Sequence, residues 1–373
     1  MQSGLHQHSS AWEKLIKLAA PSILAIAVTF VFAPRARAQG CIIAHSFGEV
    51  GGPTTQGGYL QPGHWELTVG YRHQYSFRHY VGSVEQTYRA ETHSEVRNRI
   101  NLVPIDLTYQ ISRRWSADIN VPFEFASRRY YIAAGVFRPT ATIGDYGTQG
   151  MGDITVAVHR WMWDPKDNPS HNIELGIGIE FPTGQDNITS HFSTTPGAPA
   201  TDNIADYSIQ PGIGVWGLPI NWVSFQSISS QVQVYFNGNY MATLQESNGV
   251  PTGHSDPLTA YVSPGDEYLM QAGVSYNFKS IHGLSFTFGP RDEGVRSHDL
   301  FTRNIGWRRP GFAISLEPGF QYLFNHGNDL ITGSIARAIY RNRTRSVPDT
   351  LEGAHGDAAF ADYVWLASFV HRF

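Results

Sequence analysis

Two short runs carry residue types that could do covalent chemistry. His191 and Ser193 stand two positions apart, a base beside a hydroxyl. Gln245-Glu246-Ser247-Asn248-Gly249 offers a second hydroxyl, with Gln245 where a base would be needed. A Ser hydroxyl is a weak nucleophile until a neighbouring base takes its proton, and Gln cannot do so. His191 lies in a stretch of Thr, Pro and Gly that reads as loop. Both runs read as loop decoration, and no enzyme activity is expected. Oxygen-rich sets come next: Asp164, Asp167 and Asn168, then Asp349, Glu352, His355 and Asp357. Hard cations take such oxygens, but neither spacing matches a known cation loop. The 16 His are scattered, Cys41 is the single Cys, and no Gly-rich phosphate loop appears. No metal and no cofactor is therefore expected.

A third set of charges recurs at period two inside apolar runs. In Trp65–Arg72, Glu66 and Arg72 oppose Trp65, Leu67, Val69 and Tyr71. Asp106 interrupts Val103–Ile111 in the same way, and Asp118 and Glu124 interrupt Trp115–Phe125. Glu174 and Glu180 do so in Ile173–Phe181, and Glu317 in Phe312–Phe324. Alternation of this kind puts one residue class on each face of a β-strand. Such strands need a partner that covers the apolar face, and lipid is one.

Further alternating runs lie at 232–240 and 268–278, with weaker ones at 153–163, 213–226, 284–290 and 330–340 and a last one at 361–373. The count is about 12, an even number as bacterial outer-membrane barrels require. Connections alternate in length. Short ones fall at 112–114, 164–171, 227–230, 279–283 and 325–328. Long ones, rich in Gly, Pro, Thr, Asn and Asp, fall at 77–98, 126–152, 183–207, 241–266, 291–310 and 341–360. Long loops without structure argue against a compact soluble fold, and short turns at one end with long loops at the other suit a membrane barrel. No helical period interrupts the series. Trp65, Trp115, Trp161, Trp163, Tyr276, Phe278 and Trp365 stand near strand ends, as aromatic girdles at two interfaces would.

Composition agrees. Charged residues make up 16% and aromatics 13% of the 373 residues, against about 25% charged in soluble domains. A net charge of −4 without a basic, aromatic-interleaved stretch excludes a nucleic-acid partner. Lys14 and Lys17 precede an apolar run from Leu18 to Ala33, and Ala36-Arg37-Ala38 supplies small residues for cleavage. That run is shorter than the ~20 residues of a membrane-spanning helix. Residues 1–38 therefore read as a cleaved signal peptide, 39–62 as a periplasmic linker and 63–373 as the barrel. Cleavage takes the net charge from −4 to −7, because Lys14, Lys17, Arg35, Arg37 and Glu13 leave. Ala38-Gln39-Gly40 before Cys41 is a poor match to a lipidation site.

The chain ends Tyr363-Val364-Trp365-Leu366-Ala367-Ser368-Phe369-Val370-His371-Arg372-Phe373. Tyr363, Trp365, Phe369 and Phe373 share one face. The segment resembles the terminal strand that outer-membrane barrels present to their assembly machinery, with His371 where that pattern prefers an aromatic. The His-x-Ser spacing at 191–193 is similar to that of outer-membrane phospholipase A. Gln61–Glu66, Gly152-Asp153-Ile154, Phe181-Pro182-Thr183-Gly184 and Ser208–Gly212 resemble uncharacterised outer-membrane proteins labelled by association with meta-pathway phenol degradation. Arg341-Asn342-Arg343, Ser346–Asp349 and His355-Gly356-Asp357 do too. The resemblance implies a barrel that takes up small, aromatic compounds.

The sequence therefore predicts an all-β, antiparallel, up-and-down transmembrane barrel in the outer membrane, a pore or passive transporter for small solutes. A plugged structural barrel is the alternative, and a lipid hydrolase the third. Glu66, Arg72, Asp106, Asp118, Glu124, Glu174, Glu180 and Glu317 are predicted to face the lumen. There they tune selectivity or lock strands by ion pairs, and the alternation leaves both open. Arg291, Arg296, Arg308, Arg309, Arg341 and Arg343 are loop arginines that could fold inward. Arg337 shares a face with Ile331, Ile335 and Ile339, so the strand at 330–340 has no clear phase.

Overall fold

A computed structural model describes residues 59–92, 94–131, 143–194 and 197–373. The proposed signal peptide, Cys41 and most of the linker lie outside these residues. The strands are β1 (Trp65–Val81), β2 (Val84–Glu85), β3 (Arg97–Gln110), β4 (Trp115–Tyr131), β5 (Ile143–Met151), β6 (Ile154–Trp161), β7 (His171–Phe181), β8 (Thr189–Phe192) and β9 (Thr201–Ile204). They continue as β10 (Gly217–Ser227), β11 (Val232–Thr243), β12 (Glu267–Asn277), β13 (Leu284–Val295), β14 (Gly311–Phe324), β15 (Asp329–Asn342) and β16 (Ala358–Arg372). β5 and β6 pair with successive halves of β4 and act as one wall segment, broken at Gly152-Asp153. β2 is a short hairpin on β1, and β8–β9 a separate hairpin. The rest form a closed antiparallel barrel of 12 segments among the described residues, and β16 pairs with β1 to close it. Closure leaves no open edge, which in lipid would expose unpaired backbone groups.

The two faces are inverted relative to a soluble protein. Ile177, Val274, Phe288 and Phe320 are 45–52% exposed on the outside. Asn237, Gln271, Thr287 and Gln321 are 2–3% exposed inside. An apolar exterior around a polar interior is stable only where the exterior meets lipid. Trp65, Trp115, Trp163, Tyr276 and Trp365 stand exposed, as girdle residues do. Trp161 does not. Val156 and Val158 take the outward positions of β6, so Trp161 turns inward and is buried. The same phasing settles β15: Thr332, Ser334 and Ala336 are buried, and Ile331, Arg337 and Ile339 are exposed. Arg337 is thus on the outer face, opposite Tyr363 of β16, where its long stem can reach the interface.

The short connections fall where the sequence placed them. Several strands run further toward the long-loop end than apolar alternation indicates. β4 reaches Tyr131, β5 occupies 143–151 inside the expected loop 126–152, and β13 reaches Val295 inside the expected loop 291–310. Beyond the lipid belt neither face needs to be apolar, so the pairing continues while the period-two signal stops. The long loops also hold two short helices, Tyr88–Glu91 and Val347–Leu351. The second carries a capping box between Ser346 and Asp349 and a Pro in its first turn.

Candidate functional site: an acidic cavity in the barrel lumen

A cavity of about 440 Å³ lies in the lumen, its wall running from Gln110 and Trp161 near the short turns to Met241 and Glu267 at the long-loop ends of β11 and β12. Glu66, Asp106, Asp118, Glu174 and Glu180, five of the eight residues expected in the lumen, line it. Asp153 and Glu267 raise the carboxylates to seven, against one guanidinium, Arg372, and one imidazole, His159. Arg372 is engaged by Glu66 at 2.7 Å. His159 lies between Asp118, 2.5 Å from its Nε2, and Glu174, 3.3 Å from its Nδ1. Asn120 donates to Asp106 at 2.7 Å. Gly176 faces His159 across β6 and β7, and a Cβ there would collide with the imidazole. Glycine at that position leaves room for the ring to lie flat against the wall between its two carboxylates.

Aromatic side chains form another part of the wall. Tyr59 and Leu60, the first two described residues, line the cavity at the short-turn end. The Tyr59 ring packs edge-on against Trp161, centroids 5.0 Å apart, and near Phe225 at 6.4 Å. Trp222 lines the cavity from β10.

The other predicted lumen residues do not meet this cavity. Arg72 reaches across the interior from β1 to Glu293 on β13, with two hydrogen bonds of 2.8 and 3.0 Å. Glu293 also accepts from Arg291 at 2.8 Å, and Arg291 lies 3.5 Å from Glu317. Gln271 and Ser334 donate to Glu317 as well. Arg291 is fully buried, so it is a lumen residue of β13 and not a loop arginine. The chain Arg72–Glu293–Arg291–Glu317 ties non-adjacent strands together at mid-height. Glu317 is thereby a bridging charge. Glu124 is fully buried on β4. Glu293 was missed because it stood in an expected loop. Glu267 was missed because the apolar alternation begins one residue later.

Above the cavity the loop between β9 and β10 folds inward. Ile209 and Val215 are fully buried. Asp153 holds this loop by accepting from the amides of Gly184 at 2.8 Å and Ile213 at 2.6 Å. Gly184 and Gly212 approach so closely that a Cβ on either would strike the other's backbone. Three segments that carried the resemblance, around Gly152, Gly184 and Gly212, therefore meet in one knot. Asp206 anchors the same loop to Arg128 at 3.1 Å and Arg309 at 2.8 Å. Burial by itself would raise the Asp206 carboxyl, but the two guanidiniums outweigh it and hold the group well below the usual carboxylate range.

A second knot joins the later resemblance segments. Arg343 pairs with Asp349 at 2.8 Å, and the His355 imidazole lies 2.7 Å from the Arg343 carbonyl. Asp357 meets His79 at 2.9 Å and Arg89 at 2.5 Å. These oxygens hold loops in place. The same is true of Glu246, which accepts from the amide of Arg303, and of Ser247, which donates to the Val262 carbonyl. His191 pairs with exposed Asp202 at 3.0 Å on the β8–β9 hairpin. Arg308 and Arg341 are also buried, with Asp299 and Asp362 as their partners. Tyr363, Trp365, Phe369 and Phe373 are all exposed on the outer face of the closing seam.

Among solved structures, an outer-membrane channel from Pseudomonas putida F1 has the same fold. The TM-score is 0.56 at 13% identity, covering 87% of this chain and 100% of that one. The P. putida toluene transporter TodX matches at a TM-score of 0.43 and 10% identity, over 91% and 99% of the two chains. A monoaromatic hydrocarbon channel, CymD, matches at 0.39 and 11%, over 91% and 99%. The last two likenesses are too loose to carry an argument. No family model and no curated relative matches the chain. Fold and lipid-facing belt together define a transmembrane β-barrel of the outer-membrane type.

Proposed function

We propose that this barrel is a passive outer-membrane channel for small organic solutes, with the acidic cavity as its filter. The observation that carries the reading is the cavity itself, a space inside a closed barrel whose wall mixes apolar and aromatic side chains with seven carboxylates. Fixed negative charge in a low-dielectric enclosure concentrates cations and repels anions. Tyr59, Trp161 and Trp222 provide faces for the apolar part of a solute, in keeping with the aromatic compounds that the sequence resemblance implies. Solute diffuses through and no covalent step occurs. The long-loop end would face the cell exterior.

A plugged structural barrel is the second reading, favoured by the Arg72–Glu293–Arg291–Glu317 strap and the inward loop of buried Ile209. Ion conductance of the purified protein in planar bilayers separates the two. Steady single-channel current with a cation-biased reversal potential supports the channel. Absence of current in a folded barrel removes it.

A further inference from the structure

We infer that the outer wall of the barrel binds the phosphorylated glycolipid of the outer leaflet, along a row from Arg337 on β15 to Arg99 on β3. This goes beyond the channel reading and shares with it only the placement of the long loops outside. The row follows the strand pairing. Arg337 stands opposite Tyr363 on β16. Tyr75 on β1 falls opposite Asp362 and Tyr363, where the β1–β16 register slips between Gln74 and Ser76. Tyr75 is paired in turn with Arg99. Arg99, Arg337 and Tyr363 are exposed. The Arg99 guanidinium lies over the Tyr75 ring, 5.3 Å from its centroid. A ring face holds a guanidinium in place without neutralising it. Asp362 is taken by Arg78 and Arg341.

Depth identifies the leaflet. Trp65 and Tyr109 are paired at the short-turn end, ring centroids 4.6 Å apart, and Tyr75 and Arg99 are paired ten positions further along the same two strands. A tilted strand crosses the hydrocarbon in about 9–11 residues. Tyr75 and Arg99 therefore reach the far interface, at the long-loop end. Arg337 stands eight positions beyond Asp329, the short-turn end of β15. It sits just inside the same interface, where its stem can reach outward. A cation on the lipid face is destabilising unless an anion answers it. Neither Arg99 nor Arg337 pairs with a carboxylate among the described residues. Their neighbours differ: Arg97 pairs with Glu95, and Arg129 stands opposite Asp145. Lipid supplies the missing anion. The outer leaflet of an outer membrane is built from a glycolipid whose diglucosamine headgroup carries a phosphate at each end. The two arginines are three inter-strand steps apart, roughly 14 Å between backbones, so one such headgroup can engage both. A guanidinium fork binds phosphate through two parallel N–H donors, and the exposed Tyr363 stands between the two forks. A phospholipid with a single headgroup phosphate would engage only one of them.

The test uses the full mature chain, refolded in detergent so that no native lipid is carried over. The probes are bisphosphorylated lipid A, its monophosphorylated form, phosphatidylglycerol and inorganic phosphate. Native mass spectrometry reads bound lipid as each probe is titrated. The expected result is affinity for bisphosphorylated lipid A at least about tenfold above that for the other two lipids, with no displacement by inorganic phosphate. Arg99→Gln with Arg337→Gln should lower that affinity about tenfold. Arg129→Gln should leave it unchanged. Where the double variant does not fold, each single substitution should bring lipid A binding down to the level of the monophosphorylated form. Equal binding by wild type and double variant, equal affinity for the two lipid A forms, or preference for phosphatidylglycerol overturns the inference. Maleimide labelling of intact cells separates this failure from that of the topology. Long loops that label from outside, with no lipid A bound, overturn this site alone. Short turns that label from outside overturn the site together with the orientation it shares with the channel reading.

Discussion

The amide of Trp65 donates to the carbonyl of Phe373 at 2.9 Å, and the amide of Phe373 donates to that of Trp65 at 3.0 Å. The last residue is thus hydrogen-bonded to the first residue of the first strand, and the register continues through Glu66 with Arg372. Deleting Phe373 removes both bonds at the lipid-facing seam, where each unmet backbone group costs several kcal/mol. We expect the deletion to leave export across the inner membrane intact. Outer-membrane levels should fall, with degraded protein in the periplasm, because the barrel-assembly machinery receives a defective final strand. Wild-type levels of heat-modifiable barrel would show that the seam tolerates the loss.

The charged strap predicts a division of labour among the luminal carboxylates. Arg291→Met leaves Glu293 and Glu317 facing each other without their shared cation. Breaking a buried pair in this way costs about 3–5 kcal/mol, so the unfolding midpoint in urea should drop clearly. Glu317→Gln should likewise destabilise the barrel while leaving the reversal potential in a salt gradient unchanged. Glu180→Gln should do the opposite, shifting that potential toward anions with little change in the midpoint. A selectivity shift in Glu317→Gln would place that charge in the filter instead.

Asp206 sets a pH expectation. A carboxyl held below its unfolded value of about 4 stabilises the fold at higher pH, and that contribution disappears as pH falls through the folded value. The inward loop should therefore stay anchored from pH 8 to about pH 4 and release only in stronger acid. Asp206→Asn should mimic the acid state at pH 7. Bilayer conductance and its noise, followed from pH 7 to pH 3, check this. A transition well above pH 4 would show that Asp206 is not the group that anchors the loop.

Topology is tested by labelling intact cells with a membrane-impermeant maleimide, after Cys41→Ser removes the native thiol. Ala200→Cys, on the exposed β8–β9 hairpin connection, should label. Ser229→Cys, in the turn between β10 and β11, should label only after lysis. The reverse pattern would invert the barrel in the membrane.

Much of this protein is determined locally. Period-two alternation yields strand, face and approximate strand number, because a strand's two sides are fixed by geometry one residue at a time. It put Glu66, Asp106, Asp118, Glu174 and Glu180 on one strand face, and these five line the cavity. It could not tell those five from Arg72 and Glu317, which share the same periodicity. Whether an inward charge meets open space or a counter-charge depends on strands far away in sequence, as Arg72 and Glu293 are 221 positions apart. The same limit hid the role of Trp161, whose neighbours set its phase, and the destination of the loop around Ile209. Tertiary structure decided these because barrel closure brings opposite walls within side-chain reach, and no local pattern records what stands across the lumen.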